Sequence, residues 1–277
     1  SQTLFILLMV KRVYLDWNAT APLTQEVISV MGDSLYQYGN PSSVHFEGRK
    51  AKNALENARD RIAEIIGSSS RHEVIFTSGA TEAAAMVLHS RKVECAPVEH
   101  DCVKIWANPT LEVSKNGIVK VSNPLSSTLQ MANSETGIIQ DIPEGIFFTD
   151  AVQAFGKVLI DLSELSSECI IVSGHKIGGP KGVGALLVKD TSMIDPIIIG
   201  GGQESGIRSG TENLTSILGF AAAVEYRSKE IKNRVQVEVK KKRDYLEKMI
   251  TESNKSTIIV GQKVNRLPNT SYILTPG

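Results

Sequence analysis

The residues 173–184, "SGHKIGGPKGVG", place two lysines and a histidine among five glycines. Glycines at this density let a backbone turn sharply or come close to a ligand. An amine held at such a turn in a partly dry pocket has a lowered pKa and can attack a carbonyl carbon. Two other stretches carry matching chemistry. "IFFTDAVQAFGK" puts Asp150 at the end of an apolar run with Gln153 three residues on, where α/β sheets present groups to ligands. "EVIFTSGATEAAAMVLH" runs from an apolar stretch into Ala80 and Thr81. A helix starting there offers free N–H groups and the positive end of its dipole to an anion. A reactive lysine, a carboxylate and an anion cradle are together the three demands of pyridoxal 5′-phosphate (PLP).

Each signal has a simpler counterpart. Asp150 or Thr81 could cap a helix, the lysines could be solvated, and "GGGQESG" at 200–206 could be a flexible turn. His100 with Cys102 two residues on is a weak metal pattern without a second pair; no metal is expected. "GPKGVG" departs from a Walker loop, since no Ser or Thr follows its lysine. The three PLP-type signals would have to coincide independently to be accidental.

The surrounding sequence supplies elements to hold these groups. Apolar spacing predicts a helix opening on Thr24 and a longer one capped by Ser42 or Ser43, with Ala51, Ala54, Leu55, Ala58, Ile62, Ile65 and Ile66 on one face and Gly67 at its end. "EVIFTSG" reads as a strand and "TEAAAMVLHS" as a helix. "KVECAP", "LEVS", "TLQMA", "IFFTD", "CIIVS" and "GALLVKD" read as strands covered on both faces. A long helix is expected from Thr211 to about Thr251, with a solvated charge run. "STIIV" and "TSYILTPG" read as further strands, the last with nothing to pack it. The alternation implies an α/β domain with a mostly parallel sheet. The 277 residues carry 30 basic and 30 acidic side chains, so no electrostatic footprint for nucleic acid or a membrane surface exists. Three cysteines form no even-numbered framework, and a reducing cytoplasm is expected. The apolar run at 4–10 is far shorter than the ~20 residues a membrane span needs, and is read as a buried strand or an N-terminal extension.

In eight ordered segments the chain resembles the cysteine desulfurases of the NifS/IscS kind, within the class V aminotransferases of PLP fold type I: "YLDWNATAP", "GNPSSVHFEGR", "EVIFTSGATE", "EHDCV", "NSETGIIQDI", "DAVQAFGK", "SGHKIGGPKGVGAL" and "GGGQESGIRSGTEN". The resemblance implies an α/β fold with a mostly parallel mixed sheet flanked by helices, a large PLP-binding domain over 1–262 with an N-terminal arm at 1–22, and the start of a truncated small domain at 263–277. It implies that Lys176 forms the Schiff base with PLP, that Asp150 pairs with the ring nitrogen, and that His100 lies over the ring and moves protons. Asn133 and Gln153 would reach the phenolic oxygen region, and Ala80, Thr81, Ser173 and His175 the phosphate. Thr211 would reach the phosphate of a second subunit, so a homodimer is implied. Asn18 and Ala19 would lie near the substrate carboxylate. The implied reaction converts L-cysteine to L-alanine with sulfur leaving as a persulfide, for iron–sulfur or thio-cofactor supply to an acceptor or scaffold protein.

The chain departs from that pattern in places. The family's nucleophilic cysteine and substrate-gripping arginine belong to a segment beyond residue 277, and poor persulfide turnover by the chain as written is expected. Cys95 and Cys169 are expected in strands as inert hydrophobes, leaving Cys102 as the thiol nearest the pocket. The segments 101–132 and 141–149 are shorter than the family's, Ser134 replaces a usual Asn, and Trp17 replaces a smaller residue. Other PLP chemistry on amino acids, as in a transaminase or lyase, and a non-catalytic dimerising remnant are the alternatives.

Overall fold

The computed structural model describes residues 12–66, 72–159 and 165–276; the apolar run at 4–10 and Gly67 lie outside them. Helix α1, Gln25–Ser34, opens as expected on Thr24, whose side chain accepts from the Val27 N–H. Helix α2, Phe46–Ile65, is capped by His45 rather than by Ser42 or Ser43. The two serines are still in a turn, with the Ser42 N–H donating to Asn40 Oδ1 at 2.9 Å. The first residue in position to cap is His45, whose Nδ1 accepts from the Gly48 N–H. Ala51, Leu55, Ala58, Ile62 and Ile66 are buried on one face as their spacing requires.

A five-stranded sheet forms the centre, in the order β1 (Glu73–Thr77), β7 (Gly184–Val188), β6 (Cys169–Ser173), β5 (Phe148–Asp150), β4 (Thr128–Gln130). Strands β4, β5 and β6 are parallel, and β7 runs antiparallel to both β6 and β1. The sheet is buried on both faces, and its side chains alternate between two cores with period two. Val74, Phe76, Ile170, Val172, Ala185 and Leu187 pack with α2 and with α5, Leu214–Lys232. Ile75, Phe148, Cys169, Ile171, Leu186 and Val188 pack with α3, Ala80–Leu88. Helices on both faces explain why these strands read as unbroken apolar runs.

Four expectations are corrected. "KVECAP" forms no strand: Glu94 alone makes isolated bridges, to Asn108 and Ser127, and Cys95 is buried outside any named strand. "LEVS" contributes only Glu112–Val113 (β2), paired in a small ribbon with Val119–Lys120 (β3). The long helix divides in two at Arg234, whose φ of 58° is left-handed and cannot continue an α-helix. Helix α5 starts at an Asn213 cap rather than at Thr211, and α6 spans Val235–Ser253. The last strand-like run also finds a partner, since β8 (Ile258–Ile259) pairs antiparallel with β9 (Ile273–Leu274) across residue 262.

Candidate active site

The register brings one edge of the sheet together. Gly184 lies opposite both Thr77 and Ser173, so β1 and β6 end at the same level on either side of the start of β7. Asp150 closes β5 next to Gln130 of β4. The carboxyl ends of β1, β4, β5 and β6 thus meet around a cavity of about 550 Å³, within the size range of small-molecule sites. Gly184 has to be glycine: a Cβ there would meet Val172 O at 2.7 Å and the Gly79 Cα at 2.9 Å. That close approach holds the start of α3 against the end of β6. A larger groove of about 810 Å³ lies between α2 and residues 201–205, but its central charges, Arg59 and Glu204, already neutralise each other at 2.7 Å.

Ala19, Ala80, Thr81, His100, Asp150, Gln153, Ser173, His175 and Lys176 all line the smaller cavity. Helix α3 starts at Ala80 with Gly79 as its cap, and among the described residues no side chain caps its first N–H groups, as an anion site needs. Asp150 is buried, and one of its oxygens accepts from the Val152 N–H at 2.9 Å. Burial pushes its carboxyl up, against the downward pull of that N–H, His100 and Lys176. A carboxylate placed this way gains from any further cation brought to it. His100 caps the short helix α4, Asp101–Lys104, with Nδ1 accepting from the Cys102 N–H at 3.1 Å. In the neutral ring the proton therefore sits on Nε2, which is left for a ligand. The Lys176 Nζ donates to the carbonyls of Asn18 at 2.6 Å and Ala19 at 3.1 Å. Burial lowers its pKa, against the opposing carboxylates of Asp150, Asp16 and Glu135. His175 is also held down, first by burial and then by Lys176, Lys181 and Lys157.

Three predicted site residues sit elsewhere. Asn133 is absent from this cavity; its Oδ1 accepts from the N–H groups of Glu135 and Thr136, and its Nδ2 donates to Val98 O. Its neighbour Ser134 lines the cavity instead. Thr211 lines a separate cleft with Ser78 and Arg208. Asn18 reaches the site through its carbonyl, while its side chain bonds Ser134 O and Thr270 Oγ1. Among the three thiols Cys102 alone lines the cavity. Burial, with the charges of Asp150 and Glu99, pushes it up to about 12. Burial takes Cys95 to about 11 and Cys169 to about 12, so all three thiols are protonated at neutral pH.

Two titratable groups beside the site escaped the sequence reading. Lys157 donates to Asn18 Oδ1 at 3.0 Å and to Gln153 Oε1. Glu99 accepts from the Gln130 N–H at 2.7 Å, and its buried Oε2 has no hydrogen-bond partner among the described residues. Burial, with the Asp150 charge adding to it, pushes Glu99 up to about 8. An unfolded glutamate titrates near ~4.3, so the folded chain holds this proton where the unfolded one has lost it. The stability it contributes is complete below about pH 4 and is lost as pH rises through 8, at roughly 1.4 kcal/mol per unit. Glu99→Gln keeps the acceptor and removes the titration. Thermal melts should show the wild type losing stability relative to the variant between about pH 5 and 8; parallel curves would contradict this assignment.

A buried strand-end acid, an amine across from it and a helix N-terminus beside both define the site type of a PLP-dependent α/β protein. The donor set suits that cofactor: among the described residues the start of α3 lacks a side-chain cap, Asp150 accepts only from the Val152 N–H, and the Lys176 amine donates to main-chain carbonyls rather than to a carboxylate. The Aminotransferase class-V model matches residues 13–106 and 122–274, and the chain belongs to that family. Its members depend on PLP. The chain is 35% identical to the cysteine desulfurase IscS of Dictyoglomus turgidum over 94% of its own length and 75% of that protein's. It is 32% identical to the selenocysteine lyase of Rattus norvegicus, over 94% and 76%. The X-ray structure of a NifS-like protein from Rickettsia africae superposes with a TM-score of 0.85 at 33% identity, over 94% of this chain and 80% of that one. Among the described residues no helix is long and apolar enough to cross a membrane.

Proposed function

We propose that this chain is a PLP-dependent cysteine desulfurase, removing sulfur from L-cysteine to leave L-alanine. The observation that carries the reading is the convergence of Lys176, Asp150 and the uncapped start of α3 on one cavity. When bound, PLP supplies an electron sink that acidifies the α-carbon of an amino acid joined to it. Lys176 is the residue that would hold the cofactor, and its amine is the base that would move a proton at that carbon. Asp150 would keep a proton on the ring nitrogen, and the first N–H groups of α3 with Thr81, Ser173 and His175 would hold the phosphate. Gln153 would bind on the ring's oxygen side, and the Nε2–H of His100 would pass protons.

In this reaction the substrate sulfur passes to a thiol, which becomes a persulfide, while the substrate carbon gains a proton; cysteine plus thiol give alanine plus persulfide. Because Cys95, Cys102 and Cys169 are protonated at neutral pH, the sulfur acceptor in this reading is a different thiol. The reading includes a homodimer with Thr211 facing the second subunit, a division into 1–262 and 263–277, a cytoplasmic setting, and sulfur delivery to an iron–sulfur scaffold or other acceptor protein. Incubation with PLP, L-cysteine and dithiothreitol should release alanine and sulfide in equal amounts. PLP uptake without alanine would leave the family fold standing and sink the activity. Pyruvate in place of alanine would point to β-elimination, the lyase alternative.

A further inference from the structure

We propose that Lys157 is a positioning residue of this site, tying Asn18 to Gln153 so that the Asn18 and Ala19 carbonyls and the Gln153 amide meet Lys176 in one arrangement. The inference rests on the reading of Lys176 and Gln153 as cofactor residues.

The network is closed. Lys157 Nζ donates to Asn18 Oδ1 at 3.0 Å and to Gln153 Oε1. Because Gln153 Oε1 is taken, its Nε2 is the end that donates to Asn18 O, at 2.9 Å. The same carbonyl accepts from Lys176 Nζ at 2.6 Å. Asn18 Oδ1 also accepts from Asn269 Nδ2, and Asn18 Nδ2 donates to Thr270 Oγ1. Lys157 therefore joins the 16–20 turn, the turn after β5 and the 265–272 segment behind the reactive amine.

Charge pairing does not explain Lys157. Its recorded partners are two amide oxygens, and no carboxylate forms an ion pair with it among the described residues. Its cationic neighbours are Lys176 and Arg227, and burial brings its amine down to about 7. Arg227 is itself committed, donating to Ile177 O at 2.8 Å and lying over the Trp17 ring. Keeping an amine in so dry a place, with cations for company, opposes stability. An unbranched apolar side chain would fill the space at less cost, so the two directed N–H bonds are what the lysine adds.

The test compares the cofactor-free wild type with Lys157→Met and Lys157→Arg. PLP affinity is read from the visible band, and hydrogen exchange from the amides of Ala19, Thr20 and Ala21, which bond Asp16 O and His175 O. Lys157→Met should weaken PLP binding about tenfold and speed exchange at those amides; Lys157→Arg, which keeps paired N–H donors, should recover most of both. Lys157→Met and Gln153→Leu should be non-additive in PLP affinity, since both break one network. If the methionine variant does not fold, the arginine variant and Gln153→Leu carry the test through the same exchange measurement, where unchanged protection at 19–21 in Gln153→Leu overturns the proposal. Wild-type affinity and exchange in Lys157→Met, or strict additivity, would also overturn it while leaving the PLP reading intact. A wild type that takes up no PLP removes that reading and this inference together.

Discussion

Lys176→Ala yields a colourless protein after incubation with PLP and lowers alanine formation from cysteine by at least ~10³-fold. The substitution removes the one amine that is both in the cavity and facing the strand-end acid. Its structural cost is small, because Lys176 lies in a short turn after β6 and its recorded bonds go to the carbonyls at 18 and 19. Neither Lys181, which also lines the cavity, nor Lys157 can replace it. Lys157 is bound to two amide oxygens, and the spacing of Lys181 puts it past the glycine turn. A melt close to the wild type's together with a lost visible band is the expected pair of results. A variant that keeps the band and the activity would place the chemistry on another side chain.

Asp150→Asn is expected to cost roughly 10²–10⁴-fold in rate while leaving the fold intact. The carboxyl accepts the Val152 N–H through Oδ1, and an asparagine oxygen can take over that bond. What asparagine cannot supply is negative charge. Burial already makes the Asp150 charge costly, and the nearby His100 and Lys176 only partly repay it. A protonated ring nitrogen beside it would offset the rest, a preference the variant loses. The visible band should persist with a changed pH dependence while alanine formation falls. Equal rates in the two proteins would remove Asp150 from the chemistry.

The parts legible in the sequence were those with a local signature. Asp150 and Ser173 end apolar runs, and the sheet register puts both at one edge. The alternation of Ile170, Ile171 and Val172 between two cores was implied by runs buried on both faces. What was not legible depends on long-range contact. The carbonyls that receive Lys176 belong to residues 158 and 157 positions away, and any side chain can carry such an oxygen. Lys157 sits in one of the matching motifs, yet its bond to Asn18, 139 positions away, is one that no local pattern announces. Asn133 has the right type and place in the chain, but its Oδ1 closes its own turn and its Nδ2 donates to Val98 O. His45 displaced two better caps because the chain was still turning at the serines. The break at Arg234 follows from a left-handed residue that is neither Gly nor Asn.

The central claim is that one amine, on Lys176, takes the cofactor. Borohydride reduction of the PLP-loaded protein, followed by digestion and mass analysis of the peptides, tests it most directly. The account predicts a single phosphopyridoxyl label on Lys176. A label on Lys157 or Lys181 instead, or no label at any lysine, would contradict it.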